Sequence, residues 1–161
     1  MSPQVTTCTP NPLHCGGTGG CRGSIPQLGY NYVQLFGLAS NADYPYFSGV
    51  TGLAGRCKYD VERRTPVVAI TGYDTLPPND LQAALTHLAT VGPLAIASDA
   101  SRWQLYGSGV FSGCNYENNI ALNHAIQLVG YGTDQQHGDY WLVRNSWGSS
   151  WGEHGYIRLQ R

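Results

Sequence analysis

Three runs near the C-terminal end constrain the fold most: "HAIQLVGYG" from His124, "YWLVRNSW" from Tyr140 and "GYIRLQR" from Gly155. Each is short and rich in branched or aromatic residues. Glycine-bearing turns such as "QQHGD" separate them, as tight turns separate strands. Together with "PLAIAS" from Pro93 they predict an antiparallel sheet. Side chains alternate between the faces of a strand, so His124 shares a face with Ile126 and Leu128 while Ala125, Gln127 and Val129 point the other way. Strands over residues 122–131 and 139–146, joined through "TDQQHG", bring Asn145 beside His124.

Upstream the period becomes helical. Ser24 reads as an N-cap with Pro26 in the first turn. Leu28, Tyr32, Leu35 and Phe36 then recur at helical spacing until Gly37, predicting a helix over 24–38. "PPNDLQAALTHLATVGP" predicts a second over 80–90, capped at Asn79 or Asp80, with Leu81, Leu85 and Leu88 on its apolar face and a stop at Gly92-Pro93. The first twenty-odd residues and residues 40–66 read as loop. Helices followed by strands give an α+β layout, with residues 1–75 helical, residues 76–161 an antiparallel β domain, and the boundary between Tyr73 and Pro78.

Charged residues are 12% of the 161 and the formal net charge is -1, so no basic field exists to hold nucleic acid or an anionic membrane. Apolar runs stay well under the ~18 residues of a membrane span. "MSPQVTTCTP" has neither the basic nor the apolar region of a secretory signal. Five cysteines, Cys8, Cys15, Cys21, Cys57 and Cys114, sit in Gly- and Pro-bordered segments that suit staple points. Five is odd, so either one thiol is free or some partners lie outside this chain.

A carboxamide oxygen accepting from one imidazole nitrogen fixes the ring's tautomer and leaves the other nitrogen to exchange a proton with a nucleophile. His124 and Asn145 are therefore a candidate base and orienter, and Trp147 could screen their hydrogen bond from water. On pattern alone they read equally well as a satisfied polar pair inside a sheet, with the tryptophans as packing.

The local motifs go further. "NHAIQLVGYG" followed by "YWLVRNSWGSSWGEHGYIRLQR" resembles the C-terminal half of the papain and cathepsin family of cysteine peptidases, and "YPY" (44–46), "CRGSIP" (21–26), "WQLYGSGVF" (103–111) and "MSPQ" resemble further landmarks of that family. The resemblance implies a two-domain papain-like fold of which this chain carries the tail of the helical domain and the β-barrel domain. It implies His124 as the catalytic histidine, Asn145 as its orienter, and Trp147 and Trp151 on the leaving-group side. Gly23 would offer backbone to the substrate, with Ser24 replacing a common glycine. Ile25, Pro26, Ala97, Leu122 and Ala125 would wall an apolar pocket for the second residue before the scissile bond, and Asn123 adjoins them.

The family's nucleophile stands in a Cys-Gly-Ser-Cys-Trp type of sequence, roughly 130 to 150 residues before the histidine and asparagine. Only 123 residues precede His124, and none of the five cysteines is followed by an aromatic residue. The expectation is a chain that lacks the nucleophile and the oxyanion-hole glutamine and is inactive alone. "MSPQ" falls inside a motif usually written with leucine in place of Met1, which suggests part of a longer protein. The alternative is a non-enzymatic pseudoenzyme or peptide- and inhibitor-binding module.

By resemblance Cys8 pairs with Cys57, while Cys21 and Cys114 pair with cysteines beyond this chain; Cys15 has no assigned partner. The spacing of Cys15 and Cys21 does not suit a zinc site with His14. His87, His137 and His154 read as solvent-facing. No metal or cofactor is implied. The implied partners are a polypeptide substrate and a propeptide or cystatin-like inhibitor, acting on a monomer that is lysosomal, vacuolar or secreted.

Overall fold

A computed structural model describes residues 23–55, 66–114 and 120–161. They fall in two compact units, residues 1–75 and 76–161. The proposed Cys8–Cys57 pair, Cys15 and Cys21 lie outside the described residues.

In the first unit, helix α1 (Pro26–Phe36) buries Gly29, Tyr32 and Val33. Tyr32 and Val33 pack with Leu38 and Ile70, a small core worth about 1.5–3 kcal/mol per side chain. The helix begins later than the sequence suggests. Its N-cap is Ile25, not Ser24, and no side chain caps it. Pro26 explains the shift: it suits the first helical position and holds the residue before it extended, as the φ of -115° and ψ of 153° at Ile25 require. At the other end Gly37 adopts φ 67°, and a Cβ there would stand 2.5 Å from Pro66 Cβ and 2.8 Å from the Val68 carbonyl. Only glycine lets residues 66–68 close against the helix end, where Leu38 bridges to Val68. Residues 40–66 are not all loop, because Ser48–Thr51 form a one-turn helix, α2.

The second unit opens with α3 (Leu81–Thr90), whose N-cap Asp80 accepts from the Ala83 N–H at 2.9 Å. Asp80→Ala is expected to lower stability by about 1 kcal/mol, read from denaturant midpoints at constant slope. Leu88 reaches the main core. Leu81 is 52% exposed, so the predicted apolar face is narrower than its three leucines suggested. His87 is half-buried rather than solvent-facing, whereas His137 and His154 are exposed.

The sheet runs β1-β3-β4-β5-β2, from β1 (Leu94–Ser98), β2 (Val110–Phe111), β3 (His124–Asp134), β4 (Gly138–Arg144) and β5 (Tyr156–Gln160). Its register aligns Leu94, Leu128, Val143 and Ile157 in one row across four strands. That row, with Trp103, Tyr106, Ile126 and Leu159, forms the core. β3 extends three residues beyond the expected end and contains a register shift between Leu128 and Gly130. One pairing departs from the antiparallel expectation: β2 runs parallel to β5. Arg158 holds that corner, with Nε and Nη2 donating to Glu153, Nη1 donating to Asp134, and Glu153 Oε1 accepting from the Gly109 N–H at 2.8 Å.

Candidate active site

The sheet register sets the site. His124 opens β3 opposite Ser98, and Arg144, the last residue of β4, faces Gln127. Asn145 is the next residue, so one diagonal step carries its side chain to His124, on the face that also holds Ile126. The His124 Nε2 to Asn145 Oδ1 distance is 2.7 Å. Asn145 Oδ1 also accepts from the Ser146 N–H at 2.8 Å, which identifies that atom as the oxygen. An amide oxygen carries no proton, so Nε2 must donate and the ring's lone pair falls on Nδ1. The Asn145 N–H donates to the Gly155 carbonyl at 2.9 Å, anchoring the carboxamide through its backbone.

Aromatic rings enclose the imidazole. Trp147 lies 5.1 Å from it at 34°, and Trp103 meets it edge-on at 6.2 Å. Trp151 stands T-shaped to Trp147 at 5.0 Å, and its Nε1 donates to the Trp103 carbonyl at 3.3 Å. A ring so placed is partly shielded from water. Gly152 keeps the following loop tight: at φ 55°, a Cβ would come within 2.6 Å of the Tyr156 carbonyl.

An open cleft of about 480 Å³ runs past the ring, lined by Ala100, Ser101, Gln104, Asn123, His124 and Trp147. Of the residues singled out from sequence, His124, Asn123 and Trp147 line it, Asn145 bonds to the ring, and Trp151 supports Trp147. Ala97 pairs with Ala125 across β1 and β3, on the strand face opposite His124, and Leu122 is 68% exposed. Gly23 (φ 87°), Ser24, Ile25 and Pro26 belong to the first unit, at the start of α1. Ala100, Ser101 and Gln104 escaped the sequence reading. The signal for them was the change from "PLAIAS" to "DASRWQ", where an apolar strand gives way to a polar turn.

Among the described residues Cys114 has no disulfide partner, and burial, then the charge of Asp99, pushes its thiol pKa up. A reactive cysteine needs the opposite shift. Among the described residues no group of three or more His, Cys, Asp or Glu is arranged to hold a metal, and no helix is long and apolar enough to cross a membrane.

A family profile described as "Papain family cysteine protease" matches residues 2–161. This chain belongs to the papain family of cysteine proteases. Among its relatives, a cathepsin L-like protein of Caenorhabditis elegans is 39% identical over 150 residues, covering 90% of this chain and 42% of the relative. Vignain of Vigna mungo is 40% identical over 145 residues, covering 88% of this chain and 38% of its own. The papain-family chain thus spans about two fifths of the length of the curated relatives it matches.

Solved structures agree on the fold. The bromelain protease from Ananas comosus, in complex with the E64 inhibitor, superposes with a TM-score of 0.79 at 35% identity, covering 98% of this chain and 66% of that one. Digestive procathepsin L 3 of Tenebrio molitor gives a TM-score of 0.80 at 32% identity, covering 99% of this chain and 49% of the other. The fold is accordingly α+β and papain-like.

Proposed function

We propose that this chain supplies the acid-base half of a peptidase site, and that the attacking thiolate comes from a cysteine in a part of the protein beyond these 161 residues. The observation that carries the reading is the 2.7 Å bond from Nε2 to Asn145 Oδ1, because it leaves Nδ1 as the proton-exchanging nitrogen. His124 Nδ1 takes the thiol proton to form a thiolate-imidazolium pair, and the thiolate attacks the peptide carbonyl. Nδ1 then protonates the departing amine as the C–N bond breaks, and afterwards activates water to release the acyl group as acid. Asn145 holds the ring's orientation throughout, and Trp147 limits water's access to the bond.

Two observations support an external nucleophile. Burial, then the charge of Asp99, disfavours a thiolate at Cys114, and no cysteine of the chain precedes an aromatic residue. The substrate is a polypeptide. Ala97, Ala125 and exposed Leu122 favour an apolar side chain two residues before the scissile bond. The protein acts as a monomer in a lysosomal, vacuolar or secreted setting, without a cofactor, and a propeptide or cystatin-like inhibitor is the partner class that would control it.

Labelling the full-length protein from its source with a thiol-directed peptidyl epoxide, then mapping the adduct by mass spectrometry, tests this. The expected adduct lies on a cysteine outside the 161 residues. An adduct on Cys8, Cys15, Cys21, Cys57 or Cys114 would overturn the assignment, and no adduct together with no peptide hydrolysis would overturn the peptidase reading itself.

A further inference from the structure

Asp99 stands one residue past the Ser98–His124 pair and Asn123 one residue before it, where β1 and β3 leave the sheet. The Asp99 carboxylate closes that end. Its Oδ1 accepts from the Ser101 N–H at 3.0 Å and the Ser101 hydroxyl at 2.5 Å, and its Oδ2 from the Ala121 N–H at 3.3 Å. Asn123 Nδ2 donates to Ser101 Oγ at 2.9 Å and approaches Asp99 Oδ1 at 3.4 Å, while Asn123 Oδ1 accepts from the Ala100 N–H at 3.0 Å.

This bonding biases the cleft wall. The Ser101 hydroxyl proton is committed to Asp99, and the Asn123 amide points its donors at Ser101 and Asp99. What Ser101 offers the cleft is an acceptor lone pair, with a carboxylate behind it. The Ser101 hydroxyl, foremost among these donors, holds the Asp99 carboxyl below the usual carboxylate range, so it is charged at neutral pH. Among the described residues no lysine, arginine or carboxylate lines the cleft itself, Asp99 stands behind Ser101 and Asn123, and the Arg102 guanidinium is directed to the Gly113 carbonyl at 3.4 Å.

We propose that Asp99 determines specificity on the leaving side of the scissile bond, favouring a cationic or hydrogen-bond-donating side chain there and disfavouring an acidic one. The inference rests on the proposed function, since it is protonation of the departing amine by His124 that sets the residue carrying that amine against this wall. The resting thiolate-imidazolium pair is neutral overall, which leaves Asp99, among the described residues, as the net charge behind this wall.

The test uses the full-length protein and two internally quenched peptides that differ only in arginine or glutamate immediately after the scissile bond. At low salt the kcat/KM ratio is expected to favour arginine by about three- to tenfold, the size of a solvent-screened charge interaction over several ångströms. In 1 M NaCl, where the screening length falls to about 3 Å, the ratio moves toward one. Asp99→Asn does the same, and Gln104→Glu, which adds a carboxylate to an exposed position on the same wall, raises the ratio. A loss of folding would lower both rates without changing their ratio.

A ratio at or below one in low salt, or one indifferent to both salt and Asp99→Asn, overturns the proposal. If neither peptide is cleaved, the peptidase reading fails, and affinities for the tripeptide amides Arg-Ala-Ala and Glu-Ala-Ala decide separately. Tighter binding of the arginine form sustains the role of Asp99, and equal binding overturns it.

Discussion

His124→Ala in the full-length protein is expected to lower kcat/KM toward a peptide substrate by at least about a thousandfold. The ring carries two duties in the proposed cycle: it stabilises the thiolate as its ion-pair partner and delivers the proton to the leaving amine. Neither is replaced by water held in a fixed geometry. Asn145→Ala leaves the ring in place but removes one hydrogen bond to a group that is charged in the cycle, a loss of about 1.5–3 kcal/mol, or roughly ten- to 150-fold. The order of the two effects matters more than either size, because Asn145 acts only through His124. Single-turnover assays on both variants, with circular dichroism as a folding control, would measure this. A His124→Ala protein within tenfold of the parent would show that the imidazole is not the proton carrier.

The pair was legible in the sequence because it depends on short-range rules. Strand alternation put His124 on the core face with Ile126, and a single hairpin brought the end of β4 back beside it. The pairing of Leu128 with Val143 was less legible, because the turn's register alone would set Leu128 opposite Arg144 and the shift between Leu128 and Gly130 moves it by one residue. The edges of elements were less legible. Ser24 looked like a cap, but the restriction that Pro26 imposes on Ile25 outweighed the side-chain preference at Ser24. A four-residue helix such as Ser48–Thr51 has too few turns to leave a periodic signal.

What the sequence concealed are features assembled from distant segments. The parallel contact of β2 with β5 rests on Arg158, Glu153, Asp134 and Gly109, and the Gly109 to Glu153 bond spans 44 residues. No local pattern announces that closure. The Asp99 network is concealed for a similar reason: Asp99 and Asn123 meet only because the antiparallel register of β1 and β3 puts Ser98 opposite His124. Once that register is known, the polar turn after "PLAIAS" becomes a cleft wall instead of an ordinary loop. The cleft wall is thus written in pairings, whereas the His124–Asn145 pair is written in motifs.

The two tryptophans that meet the imidazole should separate by experiment. Trp103 is fully buried among Tyr106, Ile126, Val143 and Ile157, whereas Trp147 is 39% exposed. Trp103→Ala is expected to cost about 3–5 kcal/mol, since it removes a large ring from a core that cannot collapse around the void. Thermal unfolding should then fall by roughly 6–20 °C. Trp103→Phe should cost much less, because the indole N–H is buried with no hydrogen-bond partner among the described residues and its removal relieves an unmet donor. Trp147→Ala should move the midpoint by only a few degrees while lowering kcat more than it raises KM, because in the proposed cycle the ring shields the His124–Asn145 bond, and it lies outside the buried core. If instead Trp147→Ala destabilised the fold as strongly as Trp103→Ala, its contact with His124 would be a matter of packing, and the shielding role would fall.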